Sequence, residues 1–315
     1  MTQAAAELFG PVATDLATIE AQLRLDIEQD PAEVGAPMAD LFEAGGKRIR
    51  PALVLLSAKC GRYDIQRLTP AAMAVELTHA ATLVHDDVID RAPTRRGRPT
   101  VSARLGDEPA IVIGDYYFAK AYEQAARTGI AEVVDILART VMNICAGEVR
   151  QQAIRYRYST DVAEYMRRIE AKTADLLASC CEIGALLGGV DSAKRQALRK
   201  YGLSLGLAFQ IADDVLDYTA TEGEVGKPIG HDVAEGFATL PLMLASIRLQ
   251  DDRKLSDAEA RRVVDDVRNS DGPRRALQEA REHARDAREQ LRALGDNETT
   301  SALAALADYV VTRKL

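Results

Sequence analysis

The segment AAMAVELTHAATLVHDDVID (71–90) sets the class of fold to expect. Its apolar residues recur three and four positions apart for several turns, which is the period of an α-helix with a buried face and not that of a β-strand. Two other segments, AEVVDILARTVMNICAGEVRQQA (131–153) and RKYGLSLGLAFQIADDVLDYT (199–219), have the same period. Strong helix formers fill these segments, and Gly and Pro gather between them. We therefore predict an all-α fold, a bundle of roughly ten or more helices.

The composition indicates one large domain. The chain has 315 residues, 47% hydrophobic and 28% charged, which is enough to bury a single extended core. No linker or change of composition divides it. We interpret residues 1–315 as one domain, and we interpret Ser270 to Pro273, before a charged C-terminal helical pair, as a loop; the alternative is a domain boundary there.

Charge and hydropathy limit the partners and the compartment. The net charge of −8 argues against nucleic acid, whose phosphates need a basic surface. No stretch of about 18 residues is apolar and free of charge, so we expect no membrane span. The N-terminus lacks a basic stretch followed by an apolar one, and the four cysteines form no C-x-x-C pair. These features favour a cytoplasmic protein.

Two acidic clusters, DDVID (86–90) and DDVLD (213–217), share one spacing. On a helix, residues i, i+1 and i+4 fall within an arc of about 100°, so all three carboxylates of a cluster share one face. Such crowding is unfavourable unless a cation compensates it, and oxygen ligands without His or Cys suit Mg²⁺. The predicted metal ligands are Asp86, Asp87, Asp90, Asp213, Asp214 and Asp217.

Two alternatives apply to these acids. Acidic pairs are often merely solvated, as we expect for Asp251-Asp252 and Asp265-Asp266, which lack the third Asp and lie among Lys and Arg. A di-iron site would use Glu76 and His79 as a Glu-x-x-His pair, but it needs a second such pair, and no other histidine follows a Glu by three residues. Two copies of DDxxD at the ends of long apolar segments favour Mg²⁺.

Basic residues follow the same layout as the acids. GGKRIRP (45–51) presents cations at a helix start or tight turn, and TRRGRPT (94–100) comes soon after the first acidic cluster. Lys227 follows the second cluster, and Lys172 stands alone in an apolar helix, where the alternative is a surface lysine. The order of acidic residues followed by Arg or Lys occurs twice in the chain, and it fits a site that binds a diphosphate through bridging cations.

These motifs resemble the trans-isoprenyl diphosphate synthases, also called polyprenyl synthetases. The correspondence runs in order from GGKRIRP through HDDVIDRAPTRRGRPT, KTADLLASCCEIGA, FQIADDVLD and GKPIGHDVAEGFATLP to ADYVVTRKL, over almost the whole chain. It implies an isoprenoid-synthase-type helical bundle around a central cavity, the two acidic clusters facing each other across its mouth, and a homodimer. It also implies about three Mg²⁺ ions held between the aspartates and an allylic diphosphate.

The resemblance further implies roles for individual residues. Those expected on the allylic diphosphate are Arg95, Lys172 and Lys227. Those expected on isopentenyl diphosphate are Lys47, Arg50, His79 and Arg96. Those expected at the reacting centre are Lys172, Thr173, Gln210 and Lys227. The implied reaction is ionisation of the allylic diphosphate, attack by the isopentenyl double bond and loss of a proton, which needs no side-chain nucleophile.

One position departs from the family pattern, and two others bear on product length. Phe237 stands where many members carry Lys, which puts a second lysine contact in doubt. Ala81 and Thr82, about one turn below Asp86, are small, whereas aromatic residues often occupy this level in members that stop at fifteen or twenty carbons. We predict a medium- or long-chain product; the alternative is a short-chain synthase with its floor supplied by residues 116–118.

Two rival functions remain. A class I terpene cyclase also uses DDxxD, but its second acidic site usually has a different pattern, and GGKRIRP would have no task there. A non-catalytic subunit of a heteromeric synthase would generally lack one cluster or the Arg pair, which this chain keeps.

Overall fold

The computed structural model describes residues 8–159, 161–220 and 230–312, and in this part of the chain almost all regular structure is helical. The α-helices up to residue 153 are α1 (Ala13–Glu28), α2 (Ala32–Glu43), α3 (Ile49–Lys59), α4 (Ile65–Ile89), α5 (Val101–Leu105), α6 (Asp107–Arg127) and α7 (Ala131–Ala153). The later α-helices are α8 (Val162–Ile169), α9 (Asp175–Leu187), α10 (Ser192–Thr219), α11 (His231–Ala234), α12 (Leu240–Leu244), α13 (Asp257–Arg268), α14 (Gly272–Gln290) and α15 (Glu298–Thr312). The predicted all-α fold is confirmed.

Three short pieces of other structure interrupt this pattern. Turns of 3₁₀-helix occupy Gly10–Val12 and Leu291–Leu294, and a π-helix occupies Glu170–Ala174 between α8 and α9. A two-stranded antiparallel hairpin, β1 (Thr94–Arg95) and β2 (Arg98–Pro99), follows α4. No helix in the described ranges is long and apolar enough to cross a membrane.

Both acidic clusters lie at the ends of long helices. Helix α4 has 25 residues; it begins after Asp64, whose carboxylate caps the backbone N–H of Gln66, and it ends in DDVID with Asp90 as its C-cap. Helix α10 has 28 residues and ends in DDVLDYT. The periodic segments 71–90, 131–153 and 199–219 are therefore helical almost to their predicted limits.

The residues fall into two compact units. The first comprises Met1–Val141, Ser179–Arg199 and Ala293–Ala302, and the second comprises Met142–Ala178, Lys200–Arg292 and Leu303–Leu315. The prediction of one domain over residues 1–315 stays a prediction. The first acidic cluster belongs to the first unit and the second cluster to the second.

A close helix contact positions the site residues of the second unit. Gly206 of α10 lies so near the π-helix that a Cβ there would meet the Cα of Ala174 at 2.4 Å. Around this contact pack buried apolar residues of several helices, among them Ile169, Leu207 and Ile211. Because only Gly permits this approach, the segment carrying Lys172 and Thr173 is pressed against α10.

Candidate active site

The first acidic cluster holds an arginine against itself. Asp87 is 2% exposed, and its Oδ1 receives Nε and Nη2 of Arg95, each at 2.8 Å. Asp86 and Asp90 are partly exposed on the same end of α4. These two contacts, referred to below as the fork, fix the guanidinium of Arg95 in β1 beside the carboxylates at the end of α4. This part of the predicted acid-and-base arrangement is therefore assembled within the first unit.

The hairpin that presents Arg95 and Arg96 has a strained turn. Arg95 pairs with Arg98 in register, and the two turn residues, Arg96 and Gly97, have φ values of 51° and 75°. Two positive φ angles in succession are typical of the type I′ hairpin turn. Gly adopts this conformation freely, but for Arg it is uncommon, and such strain concentrates at functional sites. The sequence analysis did not predict this hairpin.

Several cations surround His79 of α4. Burial first, and then the charges of Arg50, Arg96, Arg95 and Arg48, lower the pKa of His79 well below its usual value, so the imidazole is neutral at pH 7. The structure thus brings together three of the four residues predicted for isopentenyl diphosphate, namely Arg50, His79 and Arg96.

Gly46 explains how the loop before α3 admits these side chains. A Cβ at Gly46 would lie 2.9 Å from Nη1 of Arg48 and 3.3 Å from Nη1 of Arg96. Desolvation, followed by the charges of Arg95 and Arg48, lowers the pKa of the Arg96 guanidinium. Lys47, the fourth predicted residue, is exposed on this loop. So many like charges at short range are unfavourable unless an anion joins them.

Arg48 has a structural task that the sequence analysis missed. It is 7% exposed, it caps α3 in a left-handed conformation with φ 51°, and its guanidinium lies 2.8 Å from Glu76 and 3.3 Å from Glu20. The Glu76 carboxylate is therefore paired with an arginine and does not form the metal ligand that the di-iron alternative required.

The second acidic cluster is held by a chain of hydrogen bonds. Asp214 is 4% exposed; the Tyr165 hydroxyl donates to its Oδ2 at 2.7 Å, and Nε2 of Gln210 donates to its Oδ1 at 2.8 Å. Thr173 in turn donates to Oε1 of Gln210 at 2.8 Å. Two of the residues predicted at the reacting centre, Thr173 and Gln210, are thus directly connected to a predicted metal ligand.

A fourth acid, Asp232, adds to this cluster and was not predicted. The backbone N–H groups of His231 and Asp232 each donate to the Asp217 carboxylate at 3.2 Å. Burial, and then the charge of Asp232, raise the pKa of Asp214 to about 8 and that of Asp217 to about 7. Carboxylates that resist ionisation because they are buried and crowded fit a cation, since a bound cation would stabilise their charged form.

Lys172 lies in the π-helix, an element frequent at functional sites. Its Nζ is 2.7 Å from Oε2 of Glu148, a residue of α7 that is 9% exposed and accepts a second bond at 2.8 Å from Gln152. The lysine is partly buried and paired, unlike a lysine that only extends into solvent. Glu148 was missed because a single acid in a helix carries no spacing signal.

The structure also places the remaining predicted residues, of which Asp213 is partly exposed on α10. Lys227 lies outside the described residues. Ala81 is fully buried and Thr82 partly so. Phe237 is 7% exposed. The acidic pairs interpreted as surface are exposed at Asp252, Asp265 and Asp266, and Asp251 is partly exposed, which confirms that interpretation. Among the residues described, no group of three His, Cys, Asp or Glu is gathered so that it could hold a metal ion.

Comparison with known proteins identifies the family. Residues 31–271 match the model of the polyprenyl synthetase family. A heptaprenyl diphosphate synthase component 2 from Geobacillus stearothermophilus is 37% identical over 316 residues, covering 97% of this chain and 98% of the relative. A geranylgeranyl diphosphate synthase from Methanosarcina mazei is 34% identical over 297 residues, covering 90% and 91%.

A solved structure gives the same answer. The polyprenyl synthase from Caulobacter crescentus, crystallised with calcium and isoprenyl diphosphate, superposes with a TM-score of 0.93 at 36% identity, covering 99% of this chain and 98% of that one. The predictions of the family and of a prenyltransferase are confirmed. The chain belongs to the polyprenyl synthetase family.

Proposed function

We propose that this chain condenses isopentenyl diphosphate with an allylic diphosphate, such as farnesyl or geranylgeranyl diphosphate, to give a longer all-trans polyprenyl diphosphate. One observation carries the proposal: a buried, crowded acid cluster is joined by hydrogen bonds to the polar groups predicted at the reacting centre. In the chain from Thr173 through Gln210 to Asp214, every link is 2.8 Å. Such an arrangement suits a reaction that separates charge beside bound metal ions.

The six aspartates of the two clusters are proposed to hold about three Mg²⁺ ions on the allylic diphosphate. When bound, the ions would neutralise negative charge that develops on the departing diphosphate. Tyr165 and Gln210 hold Asp214 in place by donating to both of its oxygens.

Three cations are proposed to contact the same allylic diphosphate, namely Arg95, Lys172 and Lys227. Arg95 stays beside the first cluster through its fork with Asp87, and Lys172 is oriented by Glu148.

The cationic cluster around His79 is proposed to hold isopentenyl diphosphate. Arg50 and Arg96 supply charge, and the exposed Lys47 adds a third cation at the loop. Because His79 is neutral, one ring nitrogen donates a hydrogen bond without adding a further charge. Thr173 and Gln210 are proposed to present oxygen dipoles to the allylic cation, while proton loss to the released diphosphate ends the reaction.

The product is proposed to be of medium or long chain. Ala81 is fully buried on α4, one turn below the first cluster, and Thr82 beside it is also small, so α4 itself contributes no bulky side chain at this level. Of the aromatic residues that could form a floor instead, Tyr116 and Tyr117 donate their hydroxyls to Asp30, and the Phe118 ring lies 5.6 Å from that of His85.

Two variants separate a long-chain from a short-chain synthase. Ala81→Phe is expected to shorten the product by at least one isoprene unit, and Phe118→Ala to leave it unchanged. A dominant geranylgeranyl product from the unaltered enzyme, or lengthening by Phe118→Ala alone, would favour the short-chain alternative.

We further propose a cytoplasmic homodimer. On α7 within the second unit, Met142 is 61% exposed and Val149 is 72% exposed, and the exposed Cys145 lies between them on the same face. An apolar face of this kind is typical of a covered surface. A second candidate, favoured by the name of the component 2 relative, is one component of a two-component synthase. Light scattering of the purified chain decides between dimer and monomer, and turnover without any added protein decides whether a second component is needed.

Incubation with labelled isopentenyl diphosphate, farnesyl diphosphate and Mg²⁺ tests the proposed reaction. Extension of the allylic chain supports the synthase. A hydrocarbon or alcohol formed without uptake of isopentenyl label would indicate a cyclase. Product formation only after a partner protein is added would indicate a component of a heteromeric enzyme.

A further inference from the structure

Two guanidinium groups flank Phe237. The Cζ of Arg155 lies 5.7 Å from the ring centroid and that of Arg168 lies 5.9 Å from it, and the phenyl group is 7% exposed. Both distances permit a cation–π contact. The position at which the family pattern often has Lys is thus an apolar wall between two arginines.

The two arginines differ in how their charge is balanced. Arg155 forms an ion pair with the carboxylate of Glu235, and its Nε donates to the Glu235 carbonyl at 2.7 Å. Its positive charge is therefore neutralised locally, and Arg155 is accounted for as part of the loop that carries Phe237.

Arg168 has no such balance. It is 5% exposed, its Nη2 donates to the Ala238 carbonyl at 2.9 Å, and within residues 8–159, 161–220 and 230–312 no carboxylate lies within ion-pair distance of it. Burial of a guanidinium without a carboxylate is costly, and a neutral carbonyl compensates little of that cost. Among the described residues, the negative charge that stabilises Arg168 therefore acts from a greater distance.

The path to that charge runs through Tyr165. The Cζ of Arg168 lies 5.4 Å from the centroid of the Tyr165 ring, and the hydroxyl of the same ring donates to Asp214 at 2.7 Å. A cation against one part of the ring and a carboxylate at its hydroxyl attract each other across a region with little water, where charges interact strongly. Arg168 therefore stands one side chain behind the second acidic cluster.

We propose that Arg168 is a positioning residue for the second acidic cluster, whose repulsion it offsets without occupying the carboxylate oxygens needed by the metal ions. A directly paired arginine, such as Arg95 on Asp87, takes up a carboxylate oxygen; Arg168 leaves both oxygens of Asp214 to Tyr165, Gln210 and a ligand. Phe237 excludes water from the Arg168 guanidinium, which strengthens the electrostatic interaction of this charge with the second acidic cluster. A Lys at position 237 would instead place a third cation against two arginines. The role in substrate binding rests on the proposed function; the charge balance does not.

Arg168→Met tests this role against a matched control, Arg167→Met. Arg167 lies on the same helix but is 55% exposed and paired with Glu164 at 2.7 Å. In Mg²⁺, we expect Arg168→Met to raise the Kd for farnesyl thiodiphosphate, a non-ionising analogue, about tenfold, equivalent to about 1.36 kcal/mol. The control should stay within twofold, and the KM for isopentenyl diphosphate should not move in either variant. Equal effects of the two variants would overturn the proposal.

Moving the charge separates a positioning role from a purely structural one. In the Arg168→Met background, Phe237→Lys restores a cation on the other side of the same space, so we expect it to recover most of the lost affinity. In the unaltered chain the same Lys should lower the Tm measured in EDTA, because it adds repulsion. If Phe237→Lys lowers the Tm equally in both backgrounds, the two sites are not coupled by charge and the proposal fails.

These Tm measurements need no substrate and no turnover, so they remain decisive if the proposed reaction is wrong. If Arg168→Met does not fold, Arg168→Lys takes its place. Retention of both the Tm and the affinity by Arg168→Lys supports the charge role, and loss of both despite the retained positive charge contradicts it. Absence of chain extension by the unaltered enzyme would contradict the proposed function alone.

Discussion

Removal of the Tyr165 hydroxyl tests how the second acidic cluster is held. In Tyr165→Phe the ring keeps its place in the apolar cluster around Ile169 and Ile211, because Tyr165 is fully buried there. Asp214 loses the 2.7 Å bond to its Oδ2 and keeps the 2.8 Å bond from Gln210. A hydrogen bond to a charged group contributes about 1.5–3 kcal/mol. Loss of a group that orients a metal ligand typically costs about 10–100-fold in metal affinity or activity.

The assay is a Mg²⁺ titration of isopentenyl incorporation, with Tyr201→Phe as the control. Tyr201 is also fully buried on the same helix as Asp214, but its hydroxyl donates to a neutral acceptor, the Leu303 carbonyl, at 2.7 Å. Tyr165→Phe should shift half-saturation to about 10–100-fold higher Mg²⁺. Tyr201→Phe should leave half-saturation unchanged and cost only about 1 kcal/mol of stability.

The comparison has a clear negative result. If the two variants need the same Mg²⁺ concentration as the unaltered enzyme, then Asp214 does not depend on Tyr165 and the bond is merely structural. If both shift equally, the effect reflects general loosening of the second unit.

Three further predictions follow from the charges. Asp214 titrates near 4 when unfolded and at about 8 when folded, so its burial costs stability as pH rises between those values. In EDTA, the unfolding free energy from urea titration should fall between about pH 5 and pH 8, and Asp214→Asn should remove most of this fall and nearly abolish turnover; an unchanged pH slope would refute this. His79 has a lowered pKa in the folded state, so the free energy of unfolding should fall as pH drops below about 6.5, where the unfolded imidazole takes up a proton. The fall should be at most about 1.36 kcal/mol per pH unit. Denaturation curves should show a shallower fall for His79→Asn, and an unchanged slope would contradict burial of the neutral ring. Glu148→Gln removes the carboxylate that lies 2.7 Å from Lys172. We expect kcat to fall about tenfold or more, while the Kd for farnesyl thiodiphosphate stays unchanged or becomes lower. An unaltered kcat would show that Lys172 does not need Glu148 for its orientation.

The long helices could be predicted because their apolar period is strong and local. Helix α7 begins and ends where the segment 131–153 does, and α4 and α10 contain the other two segments almost to their ends. The acidic clusters followed from the same geometry, since DDxxD at a helix end must put its carboxylates on one face. Periodicity alone thus located both acidic clusters on helices.

The parts that were missed depend on contacts between elements distant in sequence. The hairpin at 94–99 has strands of two residues, too short for any period, and its turn uses Arg96-Gly97 in place of a common hairpin pair. Asp232 and Glu148 became recognisable only when the backbone at 231–232 met Asp217 and when the π-helix turned Lys172 toward α7. Single acids gain meaning from tertiary packing, which spacing does not encode.

A crystal grown with Mn²⁺, farnesyl thiodiphosphate and isopentenyl diphosphate gives the most direct test of the metal-bridging account, because anomalous scattering locates the ions independently of the protein. We expect ions bound by carboxylates of both DDVID and DDVLD and by oxygens of one shared diphosphate. Ions on only one of the two clusters, or a diphosphate held by arginine and lysine without any metal, would contradict it.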